Sequence, residues 1–254
     1  MQPGQEIGGR YRLVRPLRPG GRKHVWCADH LALGSQVAVH FLGQADEARL
    51  AHVARASTAA AGLRSQNVAQ VLDHGVHDGV PFVVLELLEG QSLEERLRKA
   101  TRLPIADVAV IVAQIGRALS KAHAAGLAHG DLRPHNVFLT KNDDEEVAKV
   151  LDLGLAPAPS PGWTPSHEAL LYASPAVLRG EPYDAASDLW ALAVVAYQCV
   201  TGKLPFAGVR AQQVLARLEK GEPAPHASRA RPGVPGAFDV WFDRATALDK
   251  TARF

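Results

Sequence analysis

The first 88 residues show the pattern of an antiparallel sheet. Short runs of β-branched and aromatic residues are separated by turns that contain Gly or Pro, which predicts five strands. The predicted strands cover 11–15, 23–29, 36–42, 68–73 and 80–87, with a turn from Asp73 to Gly79 between the last two. The Ala-rich segment 45–62 predicts a helix after the third strand. We therefore expect a five-stranded sheet that carries one helix.

In the rest of the chain the apolar positions recur at helical spacing. Ser92 is placed to cap a short helix that ends near Lys99, and a long amphipathic helix is predicted over 105–125. The other predicted helices cover 182–201, 210–220 and 238–248. The Pro-rich stretches 157–165 and 222–235 are expected to be surface loops of the same domain. This second part is predicted to be mainly helical.

Length and composition narrow the possible classes of protein. The chain has 254 residues, 47% of them hydrophobic, which is enough for an α+β fold with two lobes, 1–88 and 89–254. The net charge of +2 is too small to predict a nucleic-acid-binding surface. Cys27 and Cys199 are the two cysteines, too few for a disulfide framework, so we expect a cytoplasmic protein. The longest apolar run, 189–200, is about half a membrane span, so no membrane partner is expected within this chain.

Three oxygen-bearing side chains stand at a spacing that suggests phosphoryl transfer. Asp131 and Asn136 lie on either side of a Pro-containing turn, and Asp152 follows 16 residues after Asn136, behind an apolar run. Mg²⁺ prefers hard oxygen ligands, and a carboxylate can accept the proton of an attacking hydroxyl group. This spacing predicts the acidic half of a phosphoryl-transfer site.

With these motifs the chain resembles the eukaryotic-type protein kinases, in particular their bacterial Ser/Thr branch. The resemblance runs from about Tyr11 to Phe254 and also includes the hinge segment 81–88, the helix start at 187–190, and 204–206. It implies a bilobal fold with a five-stranded antiparallel sheet and one helix in the N-lobe and a mainly helical C-lobe. The family's final helix would begin where this chain stops, so a truncated domain is expected.

The resemblance also assigns roles to individual residues. Asp131 matches the catalytic base, and Asn136 and Asp152 match the Mg²⁺ ligands. The positions that match the ATP site are Gly20 and Gly21 in the glycine loop, Val25, Ala38 and Phe138 around the adenine, and Glu86 and Leu88 in the hinge. The implied cofactors are ATP and Mg²⁺.

The basic half of the site departs from the family pattern. His40 stands where the family has its phosphate-binding Lys, and Ala56 stands at the position of the helix-C Glu that orients this Lys. In the glycine loop, Arg18 and Lys23 occupy Gly positions, although Gly lets the backbone approach phosphate closely. Both members of the orienting ion pair are therefore lost, and an irregular or swung-out helix over 45–62 is expected.

Four further departures concern the substrate side. Gly130 replaces the Arg that binds an activation-loop phosphate, and Arg133 replaces the catalytic-loop Lys. Ala169 replaces a Thr of the substrate platform, and Ala176 replaces the Glu that would pair with Arg253. Each change alone occurs in active kinases, but their combination favours a pseudokinase.

These observations leave three interpretations of function. The first is a pseudokinase that acts as a regulatory or scaffolding module, binds ATP and Mg²⁺ weakly, and has a protein partner such as an active kinase or its substrate. Loss of one preorganised donor costs on the order of 10²–10³ in rate, which supports this expectation. The second is an atypical active kinase in which Lys23 replaces the missing Lys, as in the with-no-lysine kinases, which however keep the helix-C Glu. The third is a kinase-fold enzyme of different transfer chemistry.

Overall fold

The computed structural model describes residues 1–17, 24–142, 145–158, 166–206, 211–222 and 224–254. The N-lobe contains strands β1 (Glu6–Ile7), β2 (Tyr11–Pro16), β3 (His24–His30), β4 (Gln36–Phe41), β5 (Val71–His77) and β6 (Val80–Glu86), with helix α1 (Glu47–Ala61) between β4 and β5. These strands form one antiparallel sheet in the order β1-β2-β3-β4-β6-β5. The sheet therefore has one strand more than the five expected, because the two-residue β1 pairs with β2.

The C-lobe is mainly helical, and the expected α+β bilobal kinase fold is confirmed. Its helices are α2 (Leu93–Ala100), α3 (Ile105–Ala124), α4 (His167–Leu170), α5 (Pro175–Leu178), α6 (Ala185–Thr201), α7 (Ala211–Glu219), α8 (Ala227–Ala230) and α9 (Gly236–Ala245). Strands β7 (Gly90–Ser92), β8 (Val137–Asn142) and β9 (Glu145–Val150) form a second, three-stranded sheet, and short 3-10 turns lie at Pro134–Asn136 and Lys250–Ala252.

The predicted turn from Asp73 to Gly79 is wrong in extent, because strand β5 continues through Gly75. The ring of Phe82 on the neighbouring strand covers Gly75, and a Cβ at this position would lie 2.8 Å from the ring. The Gly therefore marks a close packing contact within the strand. The turn itself is formed by Asp78 and Gly79, both with positive φ, as a two-residue antiparallel hairpin requires.

Helix α1 is regular over its whole described length, so the expected irregular form is wrong. The Asp46 side chain caps its first turn by accepting a hydrogen bond of 2.8 Å from the Arg49 N–H. Its buried face, formed by Val53, Ala56, Ser57 and Ala60, packs against the sheet and the segment around Leu155. This helix is thus held inward against the site.

Helix α6 forms the centre of the C-lobe. Asp184 and Ser187 form a capping box at its start, and Gly202 ends it in the left-handed conformation with φ of 74°. Most of its side chains are buried, and it packs against α3. The apolar side chains of α6 are therefore those of a helix in a protein core. Within the described part of the chain, no helix is both long and apolar enough to cross a membrane.

The β8–β9 hairpin explains the spacing of the polar motif. Val137 pairs with Val150, and the Leu151 N–H donates to the Asn136 carbonyl oxygen at 2.9 Å. The 15 residues that separate Asn136 from Asp152 in the sequence are therefore folded back on themselves. The hairpin brings the two proposed metal ligands to the same end of the sheet.

Replacement of Gly90 by Ala should destabilise the fold severely. Gly90 has φ of 140°, and a Cβ there would lie 2.1 Å from the Leu139 carbonyl oxygen. Backbone strain and overpacking together should lower the free energy of unfolding by about 2–5 kcal/mol. Gly116→Ala is the matched control, because this helical position has open space, and it should stabilise the protein by about 0.5–1 kcal/mol. Denaturant unfolding measures both changes, and a neutral Gly90→Ala variant would contradict this packing.

Candidate active site

A cleft of about 440 Å³ lies between the two lobes. The residues expected around adenine line it: Val25 and Ala38 from the N-lobe sheet, Leu88 from the hinge, and Phe138 from strand β8. Leu85 and Leu151 add further apolar surface, and the cleft also contains the predicted polar residues Asn136 and Asp152. An apolar cleft with a few convergent polar groups is typical of small-molecule sites.

Glu86 lines the same cleft, and hydrogen bonds to its carboxylate stabilise the hinge. Its Oε1 accepts hydrogen bonds from Lys149 Nζ at 2.6 Å and from the Gln70 N–H at 2.8 Å. The Glu86 N–H in turn donates to the Gln70 carbonyl oxygen. These bonds join strand β6 to the chain before β5 and to β9. Sequence reasoning placed Glu86 in the hinge but missed Lys149, for which the sequence holds no local signal.

The loop that carries Asp131 is held in place by one buried carboxylate, that of Asp188. Asp188, which is 1% exposed, accepts hydrogen bonds from the backbone N–H groups of His129 and Gly130 at 2.7 and 3.0 Å. His123 Nε2 donates to the same carboxylate at 2.8 Å. A buried carboxylate that receives three N–H donors holds this loop in one conformation.

Asn136 is oriented toward Asp131 by two hydrogen bonds. Its Nδ2 donates to the Asp131 carbonyl oxygen at 2.7 Å and to Asp131 Oδ2 at 3.0 Å. The amide is 1% exposed, so its orientation is well determined by these partners. Since Nδ2 donates to Asp131, the amide oxygen is the atom of Asn136 that can act as a metal ligand.

His40 is bonded to Asp152 across the cleft. Their side chains are 4% and 11% exposed, and His40 Nδ1 lies 2.8 Å from Asp152 Oδ1. Asp152 itself has φ of 58°, a left-handed conformation that is uncommon for a residue with a side chain. Because the ionised carboxylate can only accept, Nδ1 carries the donated proton. The side chain at the expected Lys position thus contacts the proposed metal ligand directly.

The oxygens of Asn136 and Asp152 suit Mg²⁺ in type, since this ion prefers hard oxygen donors. His40 takes one oxygen of Asp152 and would have to share this carboxylate with a metal ion. Within the described residues, there is no group of three or more His, Cys, Asp or Glu side chains that could hold a metal without help from a substrate.

Helix α1 reaches the Asp152 segment without an acidic residue. Ala56 is buried, and its Cβ lies next to Gly154. Two basic residues of the same helix donate to backbone oxygens instead, Arg49 Nη2 to Leu155 at 2.5 Å and His52 Nε2 to Gly154 at 2.9 Å. Both lie one or two turns before Ala56, a helical spacing that could have identified them from the sequence.

Arg133 links the catalytic-loop carboxylate to the segment before helix α5. Its Nε lies 3.2 Å from Asp131 Oδ1, an ion pair without hydrogen-bond alignment, and its Nη1 donates to Glu168 at 3.0 Å. Glu168 precedes Ala169, the position at which the family resemblance implies a Thr. The segment is therefore connected to Asp131 through Arg133, and sequence reasoning singled out Arg133 but not its partner Glu168.

The backbone at Gly130 cannot accept the Arg of the family pattern. Its φ is 79°, and a Cβ would lie 2.8 Å from the Tyr183 ring and 2.9 Å from the Ala156 Cβ. Burial and the neighbouring Asp131 carboxylate raise the pKa of Tyr183 above its usual value, which keeps its hydroxyl neutral. An Arg at this position would therefore require the Tyr183 ring and Ala156 to move.

Arg253 has partners that differ from the family pattern. It donates to the carbonyl oxygens of Ala247 and Ala186 at 2.8 and 2.9 Å, and its guanidinium lies 5.1 Å from the centre of the Trp190 ring. These contacts compensate for the missing acidic partner at Ala176.

The predicted loop residues Gly20, Gly21 and Lys23 lie outside the described residues.

Comparison with known proteins agrees with this fold. The protein kinase domain family model matches residues 13–229. The chain is 30% identical to the serine/threonine-protein kinase PrkC of Bacillus subtilis, over 99% of this chain and 39% of that protein. It is 32% identical to the serine/threonine-protein kinase Pkn1 of Myxococcus xanthus, over 97% of this chain and 36% of that protein. It is also 32% identical to the serine/threonine-protein kinase PknA of Mycobacterium tuberculosis, over 96% of this chain and 59% of that protein. The chain thus spans less than two thirds of the length of these relatives. Its match to the family model over most of its length shows that the chain belongs to the protein kinase family.

Proposed function

We propose that this kinase-family domain is a pseudokinase, a regulatory or scaffolding binding module with weak or absent phosphotransfer. The observation that carries the proposal is the buried hydrogen bond of 2.8 Å between His40 and Asp152. His40, at the position of the family's phosphate-binding Lys, is thus already hydrogen-bonded to the Asp152 carboxylate that would bind the metal.

The first step of the argument concerns charge. Phosphoryl transfer depends mainly on positioning the triphosphate and neutralising its charge. Among the described residues that line the cleft, the basic side chains are Arg15, His40 and His135, and no Lys is present. Loss of a preorganised phosphate donor costs about 3–4 kcal/mol of transition-state stabilisation. A slow or absent transfer step follows.

The second step concerns the substrate. Asp131 would have to accept the proton of a substrate hydroxyl, but its carboxylate lies beside Asn136 and Arg133. Arg133 also binds Glu168 of the segment that would form the substrate platform. A substrate hydroxyl must therefore compete with a charged side chain for the same carboxylate. This arrangement favours a structural role for Asp131.

Nucleotide binding is proposed to be weak and dependent on Mg²⁺. The kinase family as a whole uses ATP and Mg²⁺, and the apolar walls of the adenine cleft are present here. Asn136 and Asp152 would hold the metal, which would supply neutralisation of the phosphate charge. The proposed partner is a protein, such as an active kinase or its substrate, because signalling between proteins is the use that remains for a kinase fold without efficient chemistry.

The second candidate function is an atypical active Ser/Thr kinase that uses Lys23. The observation in its favour is the arrangement of Asp131, Asn136 and Asp152 at one end of the cleft. It requires a cation from the glycine loop to reach the phosphates, and Lys23 is the residue at the matching sequence position.

Restoration of the missing ion pair should improve binding without restoring catalysis. The double variant with His40→Lys and Ala56→Glu should bind ATP roughly tenfold more tightly, the effect expected of one added charge-assisted hydrogen bond. Protein phosphorylation should remain poor, because Ala169 and Ala176 are unchanged. The matched control carries His40→Lys with Ala56→Gln and should gain less affinity. Calorimetric titration measures binding, and equal affinity of the double variant and the unmodified chain would argue against the proposal.

The metal dependence of binding can be measured by thermal shift. At an ATP concentration near Kd, ligand binding should stabilise the protein by about 0.4 kcal/mol, and this rise should require Mg²⁺. The rise should disappear in Asp152→Ala. His40→Leu serves as the control, because it removes the same hydrogen bond but keeps the carboxylate, and it should retain the Mg²⁺-dependent rise. A large shift without metal would contradict this assignment of Asp152.

Lys23→Met separates the two candidate functions. We expect the Lys23→Met variant to bind ATP with unchanged affinity. The control is Arg22→Met, which removes a neighbouring charge and should also leave the affinity unchanged. If Lys23→Met abolishes nucleotide binding and autophosphorylation while Arg22→Met does not, the active-kinase candidate replaces the pseudokinase proposal.

A further inference from the structure

A second cavity lies behind the catalytic loop, separate from the adenine cleft. Its volume is about 350 Å³, and it is bounded by helix α1, the segment 126–129, and the chain after Asp152. None of its lining residues within the described chain is acidic. Its size and its largely apolar wall are typical of a site for a small molecule.

The cavity exists because its wall is made of small residues. Ala56 and Ala59 line it from helix α1, and Ala128 and Ala156 line it from the C-lobe. Ala56 is the position at which the kinase pattern has Glu, so the loss of this side chain enlarges the cavity. The departures that weaken the catalytic site thus leave a space beside it.

The polar groups around the cavity are hydrogen-bond donors. His129 lines the cavity and is fully buried, and its Nε2 has no hydrogen-bond partner among the described residues. Its Nδ1 accepts a hydrogen bond from the Asp131 N–H at 3.2 Å, so in the neutral ring Nε2 carries the proton. A buried donor without an acceptor is costly, and a ligand oxygen would satisfy it.

The Arg55 side chain of helix α1 adds positive charge at the same place. Arg55 lines the cavity from an exposed position, and His52 lines it one turn earlier in the helix. These groups favour a ligand that carries negative charge on an acceptor oxygen.

We propose that this cavity is a binding site for a small carboxylate with a flat apolar body, such as an aromatic acid. The apolar part lies against the alanines, the carboxylate pairs with the exposed Arg55, and a small rotation of the buried His129 ring would bring its Nε2 within reach of the same carboxylate. The ligand would contact helix α1, the catalytic loop and Gly154 together, so it would stabilise the inward position of the helix. This site is independent of whether the domain transfers phosphate.

The test uses 2-naphthoate as the probe and 2-naphthalenemethanol, an uncharged molecule of the same shape, as its control. Titration of the 254-residue chain should show saturable binding of the acid and at least tenfold weaker binding of the alcohol. The ¹⁵N signal of His129 Nε2 should shift when the acid binds. Equal binding of the acid and the alcohol, no binding of either, or an unmoved His129 signal would overturn the proposal.

Variants locate the bound molecule. Arg55→Gln should weaken binding of 2-naphthoate about tenfold, whereas Arg64→Gln, an exposed charge of the same lobe outside the cavity, should leave it unchanged. Ala59→Leu fills the cavity at a half-buried helix position that accepts Leu, and it should also reduce binding at least tenfold with an unchanged circular dichroism spectrum. Ala38→Trp blocks the adenine cleft and should have no effect. Loss of binding in Ala38→Trp, or unchanged binding in Ala59→Leu, would place the probe elsewhere and refute the site.

Discussion

The hydrogen bond between His40 and Asp152 is the contact on which the proposed function of this domain depends. It joins strand β4 of the N-lobe to the chain that follows strand β9 of the C-lobe, and both side chains are largely removed from solvent. Burial makes such a contact worth more than the same contact on a surface, because water competes less for the donor and acceptor. A phosphate group or metal ion that enters the cleft meets a carboxylate that already has a protein partner.

The fold of the C-lobe is supported by contacts other than those between Asp131, Asn136 and Asp152. Asp188 binds three N–H groups below the catalytic loop, and helix α6 places its apolar side chains in the C-lobe core. Arg253 finds two carbonyl oxygens and the Trp190 ring in place of an acidic partner. These supports do not involve the side chains of the proposed metal ligands Asn136 and Asp152.

Much of the site could be predicted from the sequence because its spacing reflects a local structure. Asn136 and Asp152 flank a hairpin, so their separation in the sequence determines their proximity in space. Pattern and spacing could not reveal contacts between distant residues, such as the bond of Glu86 to Lys149. The role of Gly75 was missed for another reason, since a Gly within a predicted turn gives no sign that the strand continues through it and packs against Phe82.

The most direct measurement of the central claim is a single-turnover phosphate-transfer assay on the unmodified chain at saturating Mg²⁺ and ATP, with Asp131→Asn in parallel. If His40 has replaced the phosphate-binding Lys without replacing its chemistry, phosphate transfer to a protein substrate should be no faster than in the Asp131→Asn variant. Robust transfer by the unmodified chain that is abolished in Asp131→Asn would contradict the pseudokinase account.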